Sequence, residues 1–360
     1  MTGPTPGAHY PLMLKGQIRG NRSSKRLNFP KGDTALAKIL VVGSLNMDLV
    51  GIAPRIPVVG ETIIGDTYFT EPGGKGANQA YAAALLGGEV AMFGRIGDDE
   101  FGQQMRKNLE RAGCDASGLG VEPGPSGVAL IFVDEKGQNS IIVVPGANNA
   151  FTPEHVRKDA HHLASAKIVL LQLENPILTV LAAARAARKG GARVILDPAP
   201  APATPLPIEL IESVDILTPN ETEAAILAGL APGNLEPEQA VTIGRKLVSM
   251  GAGIAVMKLG DQGCVIVGSG SPILIAAPKV KAVDTTAAGD VFNAGLAVAL
   301  SEGLDLAAAC RFANHAAALS VTRLGAQAAV PNRADVNEFL KTNQTINAVV
   351  TGGSNIRASC

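Results

Sequence analysis

The strongest constraint on the fold is a regular alternation along the chain between short apolar segments and longer alanine-rich segments. Most of the short segments are continuously apolar and rich in β-branched residues, as expected for strands buried on both faces of a parallel sheet. Strands that alternate with helices in this way require βαβ crossovers, which cover the sheet with helices. The sequence therefore predicts an α/β fold, a three-layer α/β/α core with a mostly parallel central sheet. The predicted strands are residues 39–42, 90–93, 168–171, 194–196, 216–218, 254–259 and 264–267.

Proline and glycine mark the ends of predicted helices, and two segments interrupt the alternation. A helix is predicted to begin near Pro176 and to end at Gly190, since proline is favoured in the first turn and glycine past the last. Residues 46–70 and 127–146 instead combine alternating apolar and polar positions with turn residues, which is typical of hairpins. We expect these two segments to form a small β-sheet lid over the core, with plain decorative hairpins as the alternative.

The composition argues against several classes of protein. The chain carries 31 basic and 32 acidic side chains, and only 3% of its residues are aromatic, whereas a nucleic-acid binder needs a basic surface and stacking rings. No uninterrupted apolar run approaches the ~18 residues of a membrane span, so we expect no membrane association. The four cysteines are far apart and form no CxxC pair, which argues against zinc and disulfides and suits a reducing compartment.

Both ends of the chain differ from the region between them. Residues 1–37 are rich in glycine and proline and then basic, with Asp33 as the single acid, which fits a disordered N-terminal extension or a transit peptide. Residues 341–360 are polar and are predicted to be a C-terminal tail. We therefore expect one α/β domain over residues 38–340. Because a disordered extension is favoured over a targeting segment, we also expect a cytoplasmic protein.

The most informative motif is the string DTTAAGD at residues 284–290, which is followed by residues with helical spacing. Small residues at a helix N-terminus leave bare backbone amides, which form an anion hole suited to a phosphate. A carboxylate beside a bound anion is repelled, unless it takes a proton from an attacking hydroxyl. Asp290 is therefore a candidate general base next to a transferring phosphoryl group, and an ordinary helix-capping aspartate is the alternative.

Two further segments suit a ligand made of hydroxyl groups. In GGKGANQ at residues 73–79, the glycines allow close backbone approach, while Lys75 and Asn78 offer hydrogen-bond donors; a tight loop leading into a helix is the alternative. In GSLNMD at residues 43–48, Asn46 and Asp48 follow the first strand. Ligands of open α/β sheets bind beyond the carboxyl ends of the strands, so these side chains are well placed to hold sugar hydroxyls.

These segments, in this order, resemble the ribokinase-like (PfkB) family of carbohydrate kinases. GGKGANQ resembles the first signature of that family and DTTAAGDVFNAG the second, and the resemblance covers about residues 38–340. Further strings match the ribose-phosphorylating members more closely than their relatives. These strings are GSLNMD, GVALIFVDEKGQN, LLQLENP, DPAPA, TPNETEA and RFANHAAALSVTRLGAQ. The resemblance implies ATP-dependent phosphorylation of D-ribose at the 5-hydroxyl to give ribose 5-phosphate.

The resemblance also implies roles for the residues of the sugar side. Asp290 would deprotonate the 5-hydroxyl for in-line attack on the γ-phosphate of ATP. The backbone amides of Ala287, Ala288 and Gly289 would stabilise the charge that develops on the phosphoryl oxygens. The residues implied to hold the sugar are Asn46, Asp48, Gly74, Lys75, Gly76, Ala77, Asn78, Glu174 and Asp290. Without the family pattern, Glu174 would be assigned as a helix cap, and so would Asn220 of the nucleotide site.

On the nucleotide side, the Asn220–Glu223 pair matches the NxxE motif of the family. Glu223 would organise Mg²⁺ through water, which suits a hard ion that keeps its hydration shell. The resemblance further implies a monovalent cation, usually K⁺, beside the anion hole. The residues implied to bind the nucleotide are Asn220, Lys258, Leu259, Gly260, Asp261, Gln262, Gly263, Gly289, Asp290 and Asn314. Those implied to surround K⁺ are Asp284, Thr286, Ser320, Arg323, Gly325 and Ala329, the last four through backbone carbonyls.

Members of this type pair their lids, so a homodimer through the β lid is expected. Three alternatives remain open. A sibling kinase for deoxyribose, fructose or a nucleoside would keep Asp290 but change the residues around the sugar. A non-catalytic sugar-binding regulator on this fold would have no use for the base. An oxidoreductase is the least favoured of the three, because the dinucleotide-binding signature GxGxxG does not occur. The P-loop signature GxxxxGK[ST] does not occur either, which argues against a P-loop protein.

Overall fold

The computed structural model describes residues 38–202, 204–233, 235–343, 347–350 and 356–358. The predicted extension over residues 1–37 lies outside the described residues. The strands are β1 (Ile39–Val42), β2 (Asn46–Ile52), β3 (Thr67–Gly73), β4 (Val90–Gly97), β5 (Leu119–Glu122), β6 (Gly127–Val133), β7 (Asn139–Val144), β8 (Ile168–Leu171), β9 (Arg193–Leu196), β10 (Ile216–Leu217), β11 (Ile254–Lys258), β12 (Cys264–Val267), β13 (Ile273–Ile275), β14 (Asn347–Val350) and β15 (Ile356–Ala358). The helices are α1 (Lys75–Leu85), α2 (Glu100–Ala112), α3 (Pro153–Lys158), α4 (Ala160–Ser165), α5 (Ile177–Lys189), α6 (Ile208–Glu212), α7 (Glu221–Leu227), α8 (Pro237–Ser249), α9 (Ala288–Ser301), α10 (Leu306–Ser320) and α11 (Arg333–Thr342).

The central sheet contains eleven strands in the order β15-β14-β13-β12-β11-β10-β9-β8-β1-β4-β5. The strands from β11 to β5 in this order are parallel to their neighbours, and β12 to β15 are antiparallel. From β1 the chain first adds β4 and β5 on one side and then β8 to β11 on the other. The strand order therefore reverses between β1 and β8, and the crevice beyond their carboxyl ends is where a ligand is expected.

Helices cover both faces of the sheet, because alternate side chains of each strand point to opposite faces. Ile39 and Val41 of β1 pack in one core with residues of α1, α2, α9, α10 and α11. Leu40 and Val42 pack in the second core with residues of α3 to α8. Each face is therefore a buried helix–sheet interface, and the predicted three-layer α/β/α core is confirmed.

The lid is a separate four-stranded sheet in the order β3-β2-β6-β7. It joins the two predicted segments, since β2 pairs in parallel with β6 from Asn46↔Gly127 to Ile52↔Val133. β2 begins four residues after β1 ends, so the lid grows directly from the edge of the sheet where ligands are expected.

Several boundaries differ from the predictions. β4 continues to Gly97, four residues beyond the predicted end, because its last four residues pair with β5. This stretch includes the charged Arg95, which ends the apolar run in the sequence. β5 and β13 were not predicted, since each is a strand of four or three residues with half-exposed positions and carries little local signal. The predicted helix near Pro176 is confirmed as α5. β14 and β15 lie within the segment 341–360 that is predicted to be a tail.

Among the residues that the structure describes, no helix combines the length and apolar character that crossing a membrane would need.

Candidate active site

The sugar-side segments meet at the strand-order reversal, where the turn after β1 packs against the start of α1. A β-carbon on Gly76 would lie 2.5 Å from the Ser44 amide nitrogen and 2.7 Å from Gly43 Cα, and Gly74 adopts a φ of +87°. Both positions therefore require glycine. The Ala77 amide donates to Ser44 O at 2.9 Å, which fixes this close approach.

Two polar residues from other elements hold the same turn. Asn148 donates to the Leu45 carbonyl at 2.9 Å and to Asn46 Oδ1 at 2.8 Å, and it accepts from the Leu45 amide at 2.9 Å. Glu174 follows β8, and its hydrogen bonds go to the turn after β1 and to the start of α1, not to the following helix α5. Its Oε2 accepts from Ser44 Oγ at 2.5 Å and from the Lys75 amide at 3.0 Å. Asn46, Lys75 and Glu174, which the sequence places far apart, are thus brought together.

Asp48 and Glu71 face each other across the lid strands β2 and β3, where they are directly paired in register. Burial, followed by the nearby charges of Glu71, Glu174 and Asp290, raises the pKa of Asp48 to about 7. Burial also raises the pKa of Glu71, although the Ala326 amide donates to it and opposes that rise. The sugar side is therefore acidic, and Asp48 is partly protonated near neutral pH.

Asp290 lies in the first turn of α9, at the inner end of the crevice. Ala287 precedes the helix with a φ of 58° and a ψ of 10°, a left-handed conformation that costs a residue with a β-carbon roughly 1 kcal/mol. The Ala288 amide donates to Thr285 O at 3.2 Å. The amides of Gly289 and Asp290 make no hydrogen bond to other described residues, as expected for the first turn of a helix. These two amides can bind an anion.

The Asp290 carboxylate is not a cap, because its hydrogen bonds go to α1. Asn78 Nδ2 donates to Oδ2 at 3.1 Å and Gln79 Nε2 donates to Oδ1 at 3.0 Å. Burial raises the pKa of Asp290 to about 6, while Lys75 and the two amide side chains oppose the rise and Asp197 adds to it. A buried carboxylate with this pKa is charged but basic at neutral pH, which suits a general base.

Two lysines lie among these carboxylates. Burial lowers the pKa of Lys75, but Asp290, Asp197, Glu174 and Glu223 together raise it further, so it ends above its ordinary value. Lys258 Nζ donates to Asp197 Oδ1 at 2.8 Å in a largely buried ion pair. The site therefore presents two ammonium groups to an incoming anion.

On the other side of the α9 N-terminus lies a cavity of ≈ 270 Å³. The first turn of α9 and the loop after β11 form part of its wall, and its apolar lining includes Phe292 and Val321. Asn314 of α10 is on the wall, and its Nδ2 donates to Ile275 O at 2.8 Å. Predicted nucleotide residues that line the cavity are Lys258, Gly260, Asp261, Gly263, Gly289 and Asn314. Leu259 is buried in the core behind the loop, and neither it nor Gln262 is on the wall.

Asn220 and Glu223 form a capping box at the start of α7. The Glu223 amide donates to Asn220 Oδ1, and the Asn220 amide donates to Glu223 Oε2, both at 2.8 Å. Burial raises the pKa of Glu223, while Lys258 opposes the rise and Asp197 adds to it. Asn220 is therefore a helix cap, and it presents Glu223 towards the Lys258–Asp197 pair.

Three of the predicted K⁺ residues are joined by hydrogen bonds. Asp284 Oδ1 accepts from the Thr286 amide at 2.9 Å, and Oδ2 accepts from the Gly325 amide at 2.9 Å. The Thr286 hydroxyl also donates to Oδ1 at 2.7 Å. Burial raises the pKa of Asp284, but these three hydrogen bonds, first that of the hydroxyl, lower it below its ordinary value. The Ser320 carbonyl accepts from the Arg323 amide at 3.1 Å, and Ala329 lies in a short 3-10 turn.

Within the described part of the chain, no group of three or more His, Cys, Asp or Glu side chains could hold a metal ion.

Two residues at the centre of the site are absent from the predictions made from the sequence. Gln79 Nε2 donates to Asp197 Oδ2 at 3.0 Å as well as to Asp290, so one amide group links two buried carboxylates. Asp197 directly follows β9, at the strand edge where ligands bind, and that position was the available signal. Gln327 is a third missed residue, since its Nε2 donates to Asn78 Oδ1 at 3.0 Å.

Comparison with known proteins gives a consistent result. The model of the pfkB family carbohydrate kinases matches residues 36–333. A ribokinase of Bacillus subtilis (strain 168) is 42% identical over 306 residues, which are 85% of this chain and 100% of the relative. A deoxyribokinase of Salmonella typhi is 36% identical over 307 residues, or 85% and 99% of the two chains. The structure of Arabidopsis thaliana ribokinase complexed with ribose and ATP matches with a TM-score of 0.79 and 38% identity, covering 85% of this chain and 99% of that one.

A full-length relative at 42% identity and a family model that spans most of the chain both point the same way. The chain belongs to the pfkB family of carbohydrate kinases.

Proposed function

We propose that the protein is an ATP-dependent kinase that phosphorylates D-ribose at the 5-hydroxyl to give ribose 5-phosphate. The observation that carries the proposal is the buried Asp290 carboxylate beside the unbonded amides of Gly289 and Asp290, between polar residues suited to a sugar and a cavity suited to a nucleotide. The ribokinases at up to 42% identity, and the solved relative that was complexed with ribose and ATP, support ribose and ATP as the substrates.

The reaction needs one base and one site for negative charge. Asp290 takes the proton of the 5-hydroxyl as that oxygen forms a bond to the γ-phosphorus, and the bond from the γ-phosphorus to the leaving ADP oxygen breaks. The Gly289 amide, with the Asp290 amide, donates to the phosphoryl oxygens. The Ala288 amide donates within the chain to Thr285 O, so of the amides of residues 287–289, those of Ala287 and Gly289 make no hydrogen bond to other described residues and can donate. Positioning and charge stabilisation then supply most of the catalysis.

The residues around the sugar fit a small molecule with many hydroxyl groups. Asn46, Asp48 and Glu174 offer oxygen acceptors, while Lys75 and Asn78 offer donors. Asn78 Nδ2 already contacts Asp290 at 3.1 Å, so a sugar held by Asn78 places a hydroxyl close to the base. Deoxyribose is the alternative substrate that a specific finding favours, because a deoxyribokinase is also a relative.

Mg²⁺ and K⁺ are part of the proposal. Glu223 fits a water-mediated Mg²⁺ ion. Burial and the Asp197 charge raise its pKa, so a nearby cation would stabilise its charged form. The same ion would neutralise phosphate charge. Asp284 fits a monovalent cation, because hydrogen bonds from Thr286 and Gly325 hold it charged beside the loop that carries the predicted carbonyls. A cation there would support the conformation of the DTTAAGD loop.

The exposed side of the lid supports a homodimer. Ile141, Ile142, Val143 and Val144 of the edge strand β7 are all between 44% and 58% exposed. A run of exposed apolar residues on an unpaired strand edge is a surface that another chain covers, and we propose a second copy of the lid. We also propose that the enzyme works in the cytoplasm, where ATP is available.

The test is an ATP-coupled activity screen over ribose, deoxyribose, fructose and adenosine, each with and without K⁺. The expected result is the highest kcat/KM with ribose, and a higher rate when K⁺ is present. Turnover of deoxyribose or adenosine in preference to ribose would replace the proposed substrate. Tight sugar binding with no turnover of any of the four would favour the non-catalytic regulator instead.

A further inference from the structure

We propose that Lys258 is a catalytic residue of phosphoryl transfer and that Asp197 is its positioning residue. The inference rests on the proposed kinase function and adds to it, since it assigns the residue that places positive charge on the transferring group. Asp197 follows β9 and Lys258 ends β11, so both emerge at the carboxyl edge of the parallel sheet, beside the crevice.

The position of the Lys258 ammonium group is the first observation. A β-carbon built on Gly289 would lie only 3.3 Å from Lys258 Nζ, so the ammonium group lies against the first turn of α9. That turn also carries the unbonded amides of Gly289 and Asp290. An anion that accepts from these amides is therefore within reach of Lys258.

The second observation is that the lysine lies at the end of α9 whose dipole disfavours a cation. A helix N-terminus carries a partial positive charge of about half an elementary charge, which favours anions and disfavours cations. A lysine that only stabilised the fold would be better placed at a helix C-terminus. Next to the start of α9, the lysine depends on the Asp197 carboxylate to offset this repulsion. An anion between the ammonium group and the amides, such as a phosphoryl group, would be stabilised by both.

Asp197 holds the lysine in this unfavourable place. Its side chain is 3% exposed and that of Lys258 is 12% exposed, so the ion pair is shielded from water. One oxygen, Oδ1, accepts from Lys258 at 2.8 Å, and the other, Oδ2, accepts from Gln79 at 3.0 Å. Because both oxygens are engaged, the carboxylate cannot rotate away. The same Gln79 amide donates to Asp290, so the cation and the base are fixed relative to each other.

This arrangement suits a charge that develops during the reaction. As the bond to ADP breaks, negative charge builds on the oxygens around the γ-phosphorus and on the leaving oxygen. A cation held in place before the reaction stabilises this charge without reorganising. Lys258 is therefore expected to act on kcat, and not only on the affinity for ATP.

The experiment compares kcat and both KM values for the wild type, Lys258→Met, Lys258→Arg, Asp197→Asn and the Asp197→Asn/Lys258→Met double variant. We expect Lys258→Met to lower kcat about 10²- to 10³-fold, the usual loss when one transition-state donor is removed, with KM for ribose nearly unchanged. Lys258→Arg should recover part of kcat. Asp197→Asn should lower kcat, yet add little to the loss in the Lys258→Met background, because coupled residues are not additive.

The matched control is Lys38→Met. Lys38 also pairs with a carboxylate, that of Glu89, at 2.7 Å. It precedes β1 and so lies at the amino ends of the strands, away from the crevice. The kcat of the Lys38→Met variant should therefore equal that of the wild type. Lys258→Met leaves Asp197 unpaired and could prevent folding. In that case the inference is tested with Lys258→Arg and with the double variant, which removes both charges.

Two results would overturn the inference. If the folded variants that lack the Lys258 ammonium group keep kcat within about threefold of the wild type and change only KM for ATP, the lysine acts in ground-state binding. If the Asp197 and Lys258 effects are additive, Asp197 does not act through the lysine. An inactive wild type on ribose would refute the proposed function itself, which is a separate outcome.

Discussion

Replacing Asp290 by Asn separates the chemical role of this residue from its effect on stability. The amide has the shape of the carboxyl group but cannot accept a proton at neutral pH. As general-base catalysis contributes about 10²- to 10⁴-fold, kcat for ribose should fall by at least that lower factor. KM for ribose should change little, because the other residues around the sugar remain.

The same change should stabilise the fold. Burial raises the pKa of Asp290 from its ordinary 3.8 to about 6, and each pH unit corresponds to about 1.4 kcal/mol, so its charge destabilises the native state by about 3 kcal/mol at pH 7. The amide nitrogen of Asn would face a donor from Asn78 or Gln79, which costs about 1 kcal/mol. We therefore expect Asp290→Asn to raise the free energy of unfolding by about 2 kcal/mol.

The pH dependence of the free energy of unfolding tests this expectation. A carboxyl group whose folded pKa is raised binds more protons in the native state, so wild-type stability increases as pH falls from about 6 towards 3.8. The advantage of the Asn variant should accordingly be full at pH 7 and shrink below pH 6. Urea unfolding of both proteins at pH 5, 6 and 7 measures it. A variant that is less stable than the wild type at pH 7, or that keeps near-normal kcat, would refute the reasoning.

Three further changes test the sugar site and the lid. The charge of Glu71 helps to raise the pKa of Asp48 to about 7, so KM for ribose should fall as pH rises through that value. Glu71→Gln should move this transition to lower pH. A transition that does not move, when KM is measured as a function of pH, would contradict the pairing of Asp48 with Glu71. Gly76→Ala would place a β-carbon 2.5 Å from a backbone nitrogen, whereas Gly51 has nothing within 4 Å, so thermal unfolding should show a loss of about 1–3 kcal/mol for the first and almost none for Gly51→Ala. Ile142 is 58% exposed, and Ile142→Lys should convert a dimer to a monomer in light scattering; an unchanged mass would count against the lid interface.

The sequence predicted the core of the fold because buried parallel strands leave a strong local signal. β1, β8 and β12 begin and end where the apolar runs do, since every residue in them is buried. β5 has buried and exposed residues mixed over four positions, and β13 has only three residues. Their pairing depends on neighbours already in the sheet, which a local pattern does not contain.

The same difference separates the residues of the candidate site. Asp290 could be singled out because it lies within a recognisable local string. For Asp197 the one signal was its position directly after a strand, and Gln79 had none. What makes both residues important is a contact between residues 118 apart and another between residues 211 apart. Nothing around either residue in the sequence indicates that one amide group joins two carboxylates.

The near-neutral charge of the chain conceals a site with a strong local imbalance. Three carboxylates lie around the α9 N-terminus, those of Asp197, Glu223 and Asp290. Electrostatic interactions with one another and with Lys75 and Lys258 shift the pKa values in this group. The carboxylates outnumber the lysines, so the two ammonium groups are already balanced before a nucleotide binds. A triphosphate adds more negative charge in the same place, and the unbonded amides carry only partial charges. The protein alone therefore cannot neutralise its substrate, and for this reason we expect turnover to require a divalent cation even though no cluster of ligating side chains is present among the described residues.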